Sequence, residues 1–415
     1  MKRLCILLFT LTLLCCLAFA AAAAPIGDAD RDGTLTAADA RLLLRAAVGL
    51  DPVTGELRRD CDPDGDRTLT AADARLVLRA AVGLEDAAES DDVNGFADHP
   101  EDVVDVTALY TYEDLQADLR LLSSLYPARF SYEEEGYTVD GRGIYCAVLG
   151  TGLGSRQIVV DVGAHAEEYL NPAAVMADVE NILRHYDEPV SGGRTPREIL
   201  ADTDVYIFPM LNPDGVTISQ SGLTKLQPGT AETVRGIYEA ERAAGRTDAT
   251  LDDYLRAWKA NANGVDLNRN ALFSVTGRDY DTGVTAPASE EFPGNRSAPE
   301  AETAAYLRLL GRLKNPVAAL SIHSQGSLIY WLCGQEGPDL AAARRLTEIT
   351  ESVTGYYAEP DDSFVGALAD WAMLEKHVPA VTVETGLGGS PLPLTQQPGI
   401  ADRLSGLILA VADGM

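Results

Sequence analysis

The sequence predicts an α/β sandwich on a largely parallel or mixed sheet over residues 107–415, with a small all-α module ahead of it. Short apolar runs rich in β-branched residues alternate with helical stretches between Tyr112 and Glu375, which is the pattern of βα units. Several of these runs stop at a polar, ionisable or turn-forming residue, and catalytic groups in such sheets gather beyond the strand carboxyl ends. Nearer the N-terminus, one loop-and-helix segment occurs twice, almost residue for residue, between Asp28 and Leu84.

At 415 residues, 46% hydrophobic and 23% charged, the composition is globular and the length exceeds one ordinary domain. A formal net charge of −30 argues against nucleic acid or an anionic membrane as partner. Residues 1–20 read as a secretory signal: Lys2 and Arg3, an apolar core from Leu4 to Leu17, then the cleavage site Ala18-Phe19-Ala20. The apolar run approaches bilayer-spanning length, so an uncleaved anchor is the alternative. A secreted protein with no membrane span in the mature chain is expected. Cys61, Cys146 and Cys333 remain after cleavage, odd in number and widely spaced, so no disulfide framework is expected.

The repeat occupies residues 26–86. Oxygen ligands at loop positions 1, 3, 5, 7, 9 and 12 make a calcium loop. Asp28, Asp30, Asp32, the Thr34 carbonyl, Thr36 and Asp39 fill them in one copy. Asp62, Asp64, Asp66, the Thr68 carbonyl, Thr70 and Asp73 fill them in the other. Each loop runs into a helix with a Leu/Val stripe. With Asp at position 12 and only the exiting helix present, the pair resembles a dockerin, the module that binds cohesin domains. That resemblance implies up to two Ca²⁺ ions and a cohesin partner. Arg67 stands where a glycine normally makes the sharp turn, which would weaken the second site. Residues 87–106 are acidic and aperiodic and read as a linker.

Tyr112 to Leu125 is an amphipathic helix opened by Thr111. Gly143–Leu149, Gln157–Val162, Asp204–Pro209, Val317–Ile322 and Ala380–Val383 read as strands. Pro172–His185, Ser297–Leu313, Asp339–Val353 and Ala367–Glu375 read as helices. The run ending at Val162 stops at Gly163-Ala164-His165-Ala166-Glu167-Glu168. His-x-x-Glu offers an imidazole nitrogen and a carboxylate, both suited to Zn²⁺, and a catalytic zinc takes a third ligand from far along the chain. The run ending at Ile322 stops at His323, the one ending at Val383 at Glu384, and the one ending at Met210 shortly before Asn212-Pro213-Asp214-Gly215.

With Gly264-Val265-Asp266-Leu267-Asn268-Arg269-Asn270 between them, these motifs resemble, in order, the zinc carboxypeptidases related to carboxypeptidases A and B. The resemblance covers about residues 108–412 and implies a mixed-sheet α/β/α sandwich of that type. It further implies His165, Glu168 and His323 as ligands of one zinc ion, Glu384 as general base and Asp266 as the carboxylate orienting the first histidine. Asn268 and Arg269 become the grip on the substrate's terminal carboxylate, since a guanidinium forks onto a carboxylate.

Some positions depart from the family. The residue after Trp258 is Lys259 where an oxyanion-stabilising arginine is usual; a lysine serves there as a point charge. Glu167 inverts the charge of the arginine common between the ligands, which favours a substrate amino group nearby. The mobile tyrosine has no clear counterpart; Tyr356 and Tyr357 lie near. Ala369 aligns with the base of the specificity pocket and argues against a Lys or Arg preference. The stretch Trp258–Asn261 and the polar insertion Val216–Ala257 look more like bacterial members, some of which cleave γ-D-glutamyl–diaminopimelate bonds of cell-wall peptides. The expectation is a secreted zinc metallocarboxypeptidase tethered by a dockerin, with a cell-wall peptidase as the alternative. An inactive dockerin-borne binding protein and an amidase of small acylated amino acids are the rivals.

Overall fold

The computed structural model describes residues 29–30, 34–47, 50, 61, 74–75, 77–78, 81, 102–190, 193–271, 282–294, 299–360 and 364–415. The chain divides into two compact units, residues 1–99 and 100–415.

In the first unit, helix α1 (Ala37–Ala47) buries Ala40 and Leu43 against Cys61, Ala74 and Val77. Asp39 is fully buried. Its Oδ1 accepts the amides of Ala29 and Asp30 at 2.9 and 3.2 Å, and its Oδ2 accepts the Thr36 amide at 2.7 Å. The position-12 carboxylate therefore closes the loop on itself. Asp28, Asp32, the second set from Asp62 to Asp73, the signal segment and the linker up to residue 101 lie outside the described residues. Among the described residues no helix is long and apolar enough to cross a membrane.

The first described helix of the second unit is α2 (Tyr112–Leu125), with the bounds the periodicity predicts. Thr111 caps it: the side chain accepts the Asp114 amide while the Asp114 carboxylate accepts the Thr111 amide, satisfying otherwise orphaned donors at the helix start. Among the described residues eight strands follow: β1 (Phe130–Tyr137), β2 (Gly143–Leu149), β3 (Arg156–Val162), β4 (Thr203–Phe208), β5 (Pro316–Ser324), β6 (Leu328–Tyr330), β7 (Tyr357–Glu359) and β8 (Ala380–Thr385). They form one mixed sheet in the order β1-β2-β4-β3-β5-β8-β6-β7. The four central strands β4, β3, β5 and β8 run parallel.

Alternate residues of the buried strands feed two cores. Ile158, Val160, Leu320, Ile322, Val381 and Val383 face one, packed with α2, α3 (Asn171–Arg184) and the C-terminal helices. Val159, Phe208, Ala319 and Ala380 face the other, under α7 (Ala301–Arg312) and α9 (Leu368–Lys376). The period of two along a strand sends successive side chains to opposite faces, giving the expected α/β/α sandwich. The helices α4 (Pro213–Ser221), α5 (Pro228–Ala243) and α6 (Leu251–Arg256) of the insertion gather a third cluster around fully buried Trp258. Between α7 and α9, α8 (Gly337–Thr354) buries Leu346 in the first core.

Candidate metal centre and substrate cleft

Strand β3 ends at Val162, and Gly163 turns the chain with φ +67°, a conformation glycine adopts without strain. The next turn is pinned from two sides. Asn212 Nδ2 donates to the Ala164 carbonyl at 3.1 Å, and the Ala166 amide donates to the Lys259 carbonyl at 3.0 Å. This explains the Asn212-Pro213-Asp214-Gly215 motif: Asn212 also caps α4 by accepting the Gly215 amide, and a Cβ on Gly215 would meet the Ala260 carbonyl at 2.5 Å.

The pinned turn aims His165 and Glu168 at His323. Glu168 Oε1 lies 2.8 Å from His165 Nδ1, and Oε2 lies 2.9 Å from His323 Nδ1. The two Nδ1 atoms are 3.2 Å apart, and all three side chains are buried. Two imidazole nitrogens and a carboxylate converging on one point are a donor set for a borderline cation, and His/His/Glu leaves an open fourth position on zinc. The residues present fit that metal.

His323 and Glu384 differ from expectation in one respect. Both lie inside strands rather than beyond them, since β5 runs to Ser324 and β8 to Thr385. They are register partners across that parallel pair, so sheet hydrogen bonding fixes the ligand and the acid beside each other. Burial, and then the charge of Glu168, push the Glu384 carboxyl up to about 7.

Asp266 precedes a short 3₁₀ turn, Leu267–Arg269. Its Oδ1 lies 3.3 Å from His165 Nε2. Burial opposes its charge, but His165 outweighs burial and holds Asp266 well below the usual carboxylate range. The same carboxylate accepts the Asn268 and Glu291 amides, each at 3.0 Å. Asn268 Oδ1 accepts the Leu368 amide at 3.1 Å, tying this turn to α9, where Ala369 is buried.

The cations of the cleft are found with carboxylates. Lys259 Nζ is 3.8 Å from Glu167 Oε1 and 3.6 Å from Glu290 Oε2. Burial works against the lysine's charge, but Glu167, Glu168 and Glu290 outweigh it and raise its pKa. Among the described residues both Glu167 oxygens are buried without a hydrogen-bond partner; burial, then Glu168, push that carboxyl up to about 8. Arg269 forks onto Glu291: Nε to Oε2 at 3.1 Å and Nη2 to Oε1 at 3.0 Å. Glu290 and Glu291 escape sequence reasoning, since nothing in the stretch around Ser289 repeats or alternates.

Tyr356 is buried, its hydroxyl set against Ser327 and the Gly386 backbone, and burial raises its pKa. Tyr357 is exposed on β7. Asp361, Asp362 and Ser363 lie outside the described residues. Cys61, Cys146 and Cys333 are buried.

The zinc carboxypeptidase family profile matches residues 115–398. The gamma-D-glutamyl-L-diamino acid endopeptidase 1 of Lysinibacillus sphaericus is 26% identical over 72% of this chain and 72% of its own length. Carboxypeptidase A4 of Mus musculus is 24% identical over 70% of this chain and 66% of its own. Among solved structures, thrombin activatable fibrinolysis inhibitor superposes with a TM-score of 0.59 at 17% identity, over 76% of this chain and 77% of that one. With the matched residues spanning most of the chain and a three-donor metal centre in place, this chain belongs to the zinc carboxypeptidase family of hydrolases.

Proposed function

We propose that this protein is a secreted zinc metallocarboxypeptidase that hydrolyses peptide bonds beside a free carboxylate. The observation that carries the reading is the convergence of His165, Glu168 and His323 with Glu384 in register beside His323. Zinc held there would supply a Lewis acid and lower the pKa of water to about 7. Glu384 takes the proton of the attacking water as its oxygen adds to the carbonyl carbon. It returns that proton to the leaving nitrogen as the C–N bond breaks. Lys259 faces the negative charge developing on the carbonyl oxygen. Arg269 and Asn268 hold the substrate's terminal carboxylate, and Asp266 orients His165.

A second reading is a cell-wall peptidase acting on γ-D-glutamyl–diamino acid bonds. The L. sphaericus relative carries that activity in its name and matches over 72% of both chains. Glu290, exposed beside Lys259, suits a substrate with a free amino group. The test is hydrolysis by the zinc-loaded chain of free-acid peptides, their C-terminal amides and a γ-D-glutamyl–diaminopimelate peptide, with Glu384→Gln as control. Cutting of the free-acid peptides, with or without their amides, and not of the diaminopimelate peptide supports the first reading, and cutting of the diaminopimelate peptide alone supports the second. Activity surviving in the control would refute both mechanisms.

For the first unit we propose a dockerin that binds up to two Ca²⁺ and docks on a cohesin. The near-exact repeat supports this, together with the loop closed by Asp39. Calorimetric titration with Ca²⁺ and then with a cohesin tests it, and absence of Ca²⁺ binding would remove it.

A further inference from the structure

The fork between Arg269 and Glu291 is the contact that a substrate's terminal carboxylate would make, already made by the chain. Its surroundings hold the backbone of Glu291 in place. The Glu291 amide donates to Asp266 at 3.0 Å, and the Asp266 amide donates to the Phe292 carbonyl at 2.8 Å. On either side, Ser289 O accepts the Lys259 and Ala260 amides at 3.0 and 2.9 Å, and Asn270 donates to Pro293 O at 2.9 Å. Glu291 itself sits at φ +63°, a region non-glycine residues enter uncommonly and which clusters at functional sites. The side chain is placed differently. It is 35% exposed against 15% for Arg269, so it can turn into water without leaving a buried unpaired charge.

Resting on the reading of Arg269 as the carboxylate grip, we propose that Glu291 is a specificity-determining residue that occupies this grip in the absence of substrate. Binding of a free-acid substrate is then an exchange of one carboxylate for another on the same guanidinium. An exchange between similar charge-assisted pairs yields little net preference. The enzyme therefore distinguishes a free carboxyl terminus from a blocked one only weakly. Substrates that continue past the cleaved bond, or end in an amide, compete with free acids on nearly level terms.

The experiment uses the zinc-loaded full chain carrying Glu384→Gln, which binds substrate without turning it over. The probes are the tripeptide Ala-γ-D-Glu-Lys as free acid and as C-terminal amide, titrated by calorimetry. The expected amide-to-acid Kd ratio in this parent is within a few-fold of unity. Adding Glu291→Gln, which keeps the side chain's shape, raises the ratio about tenfold or more by tightening the acid alone. Adding Arg269→Gln as well abolishes that gain. An unchanged ratio in Glu291→Gln, equal weakening of acid and amide, or no acid binding at all by that variant would each overturn the proposal. Should Arg269→Gln leave the acid's affinity untouched in both backgrounds, the grip itself is misplaced and the inference falls with it.

Discussion

The floor and the rim of this cleft solve opposite problems. On the floor, the metal donors are buried and braced: His165 by Asp266, the turn before it by Asn212, and His323 by the register of β5 with β8. A buried polar group without a partner costs free energy, so such a site stands only if each donor is held or bound. On the rim, Lys259 and Arg269 reach water, and each lies beside glutamates of the Ser289–Pro293 segment. The floor is fixed so that chemistry is repeatable, whereas the rim is charge-balanced so that it can be rearranged by a ligand.

The largest effect should come from breaking the floor. His323→Ala removes one of the three donors, and both the zinc content by elemental mass spectrometry and peptidase activity should be lost. Retained stoichiometric zinc would show that the donor set is wrong. On the rim, Lys259→Ala should lower kcat by about 10²-fold with zinc content unchanged, and Lys259→Arg should recover part of the loss; an effect on KM alone would make Lys259 a binding group. Asp266→Asn sits where the two regions meet. Because Asp266 lies 3.3 Å from His165 Nε2, the change should weaken zinc affinity about 10–100-fold, read by competition with a chelator.

The smallest effect concerns stability. Burial, then the charges of Asp214 and Glu300, push the Glu302 carboxyl from 4.5 up to about 8. The folded state therefore keeps a proton that the unfolded chain releases at ordinary carboxylate pH. That contribution is complete below the unfolded value and is lost as pH rises toward 8. Urea unfolding between pH 5 and 8, a range of about three units, should show stability falling with pH in the wild type and a flatter profile in Glu302→Gln. Identical profiles would mean that Glu302 is not protonated in the fold.

What was legible in the sequence follows the same division. Helix α2 and strand β2 have the bounds their periodicity predicts. His165, Glu168, His323 and Glu384 were found because a buried apolar run that halts at an ionisable group is rare without a site. Strand β1 was illegible: among the described residues it is an edge strand bonded to β2 alone, carrying Glu133, Glu134 and Glu135 around a bulge. Its exposure leaves no alternation to read. The helices α10 (Gln397–Leu404) and α11 (Leu407–Gly414) were missed as well, the first interrupted by Pro398 and Gly399 and the second apolar on most sides. Glu291 was invisible for another reason: pairing with Arg269 is a contact between segments 22 residues apart with no shared pattern.

The pairing of His323 with Glu384 across β5 and β8 also bears on how such an enzyme diversifies. A shift of β8 by one residue would turn Glu384 to the opposite face of the sheet, so inheritance of the fold carries the placement of His323 beside Glu384 with it. Segments that join the strands, Ser289–Pro293 among them, carry no such register constraint, so substitutions there can change substrate contacts while leaving His323 and Glu384 in place.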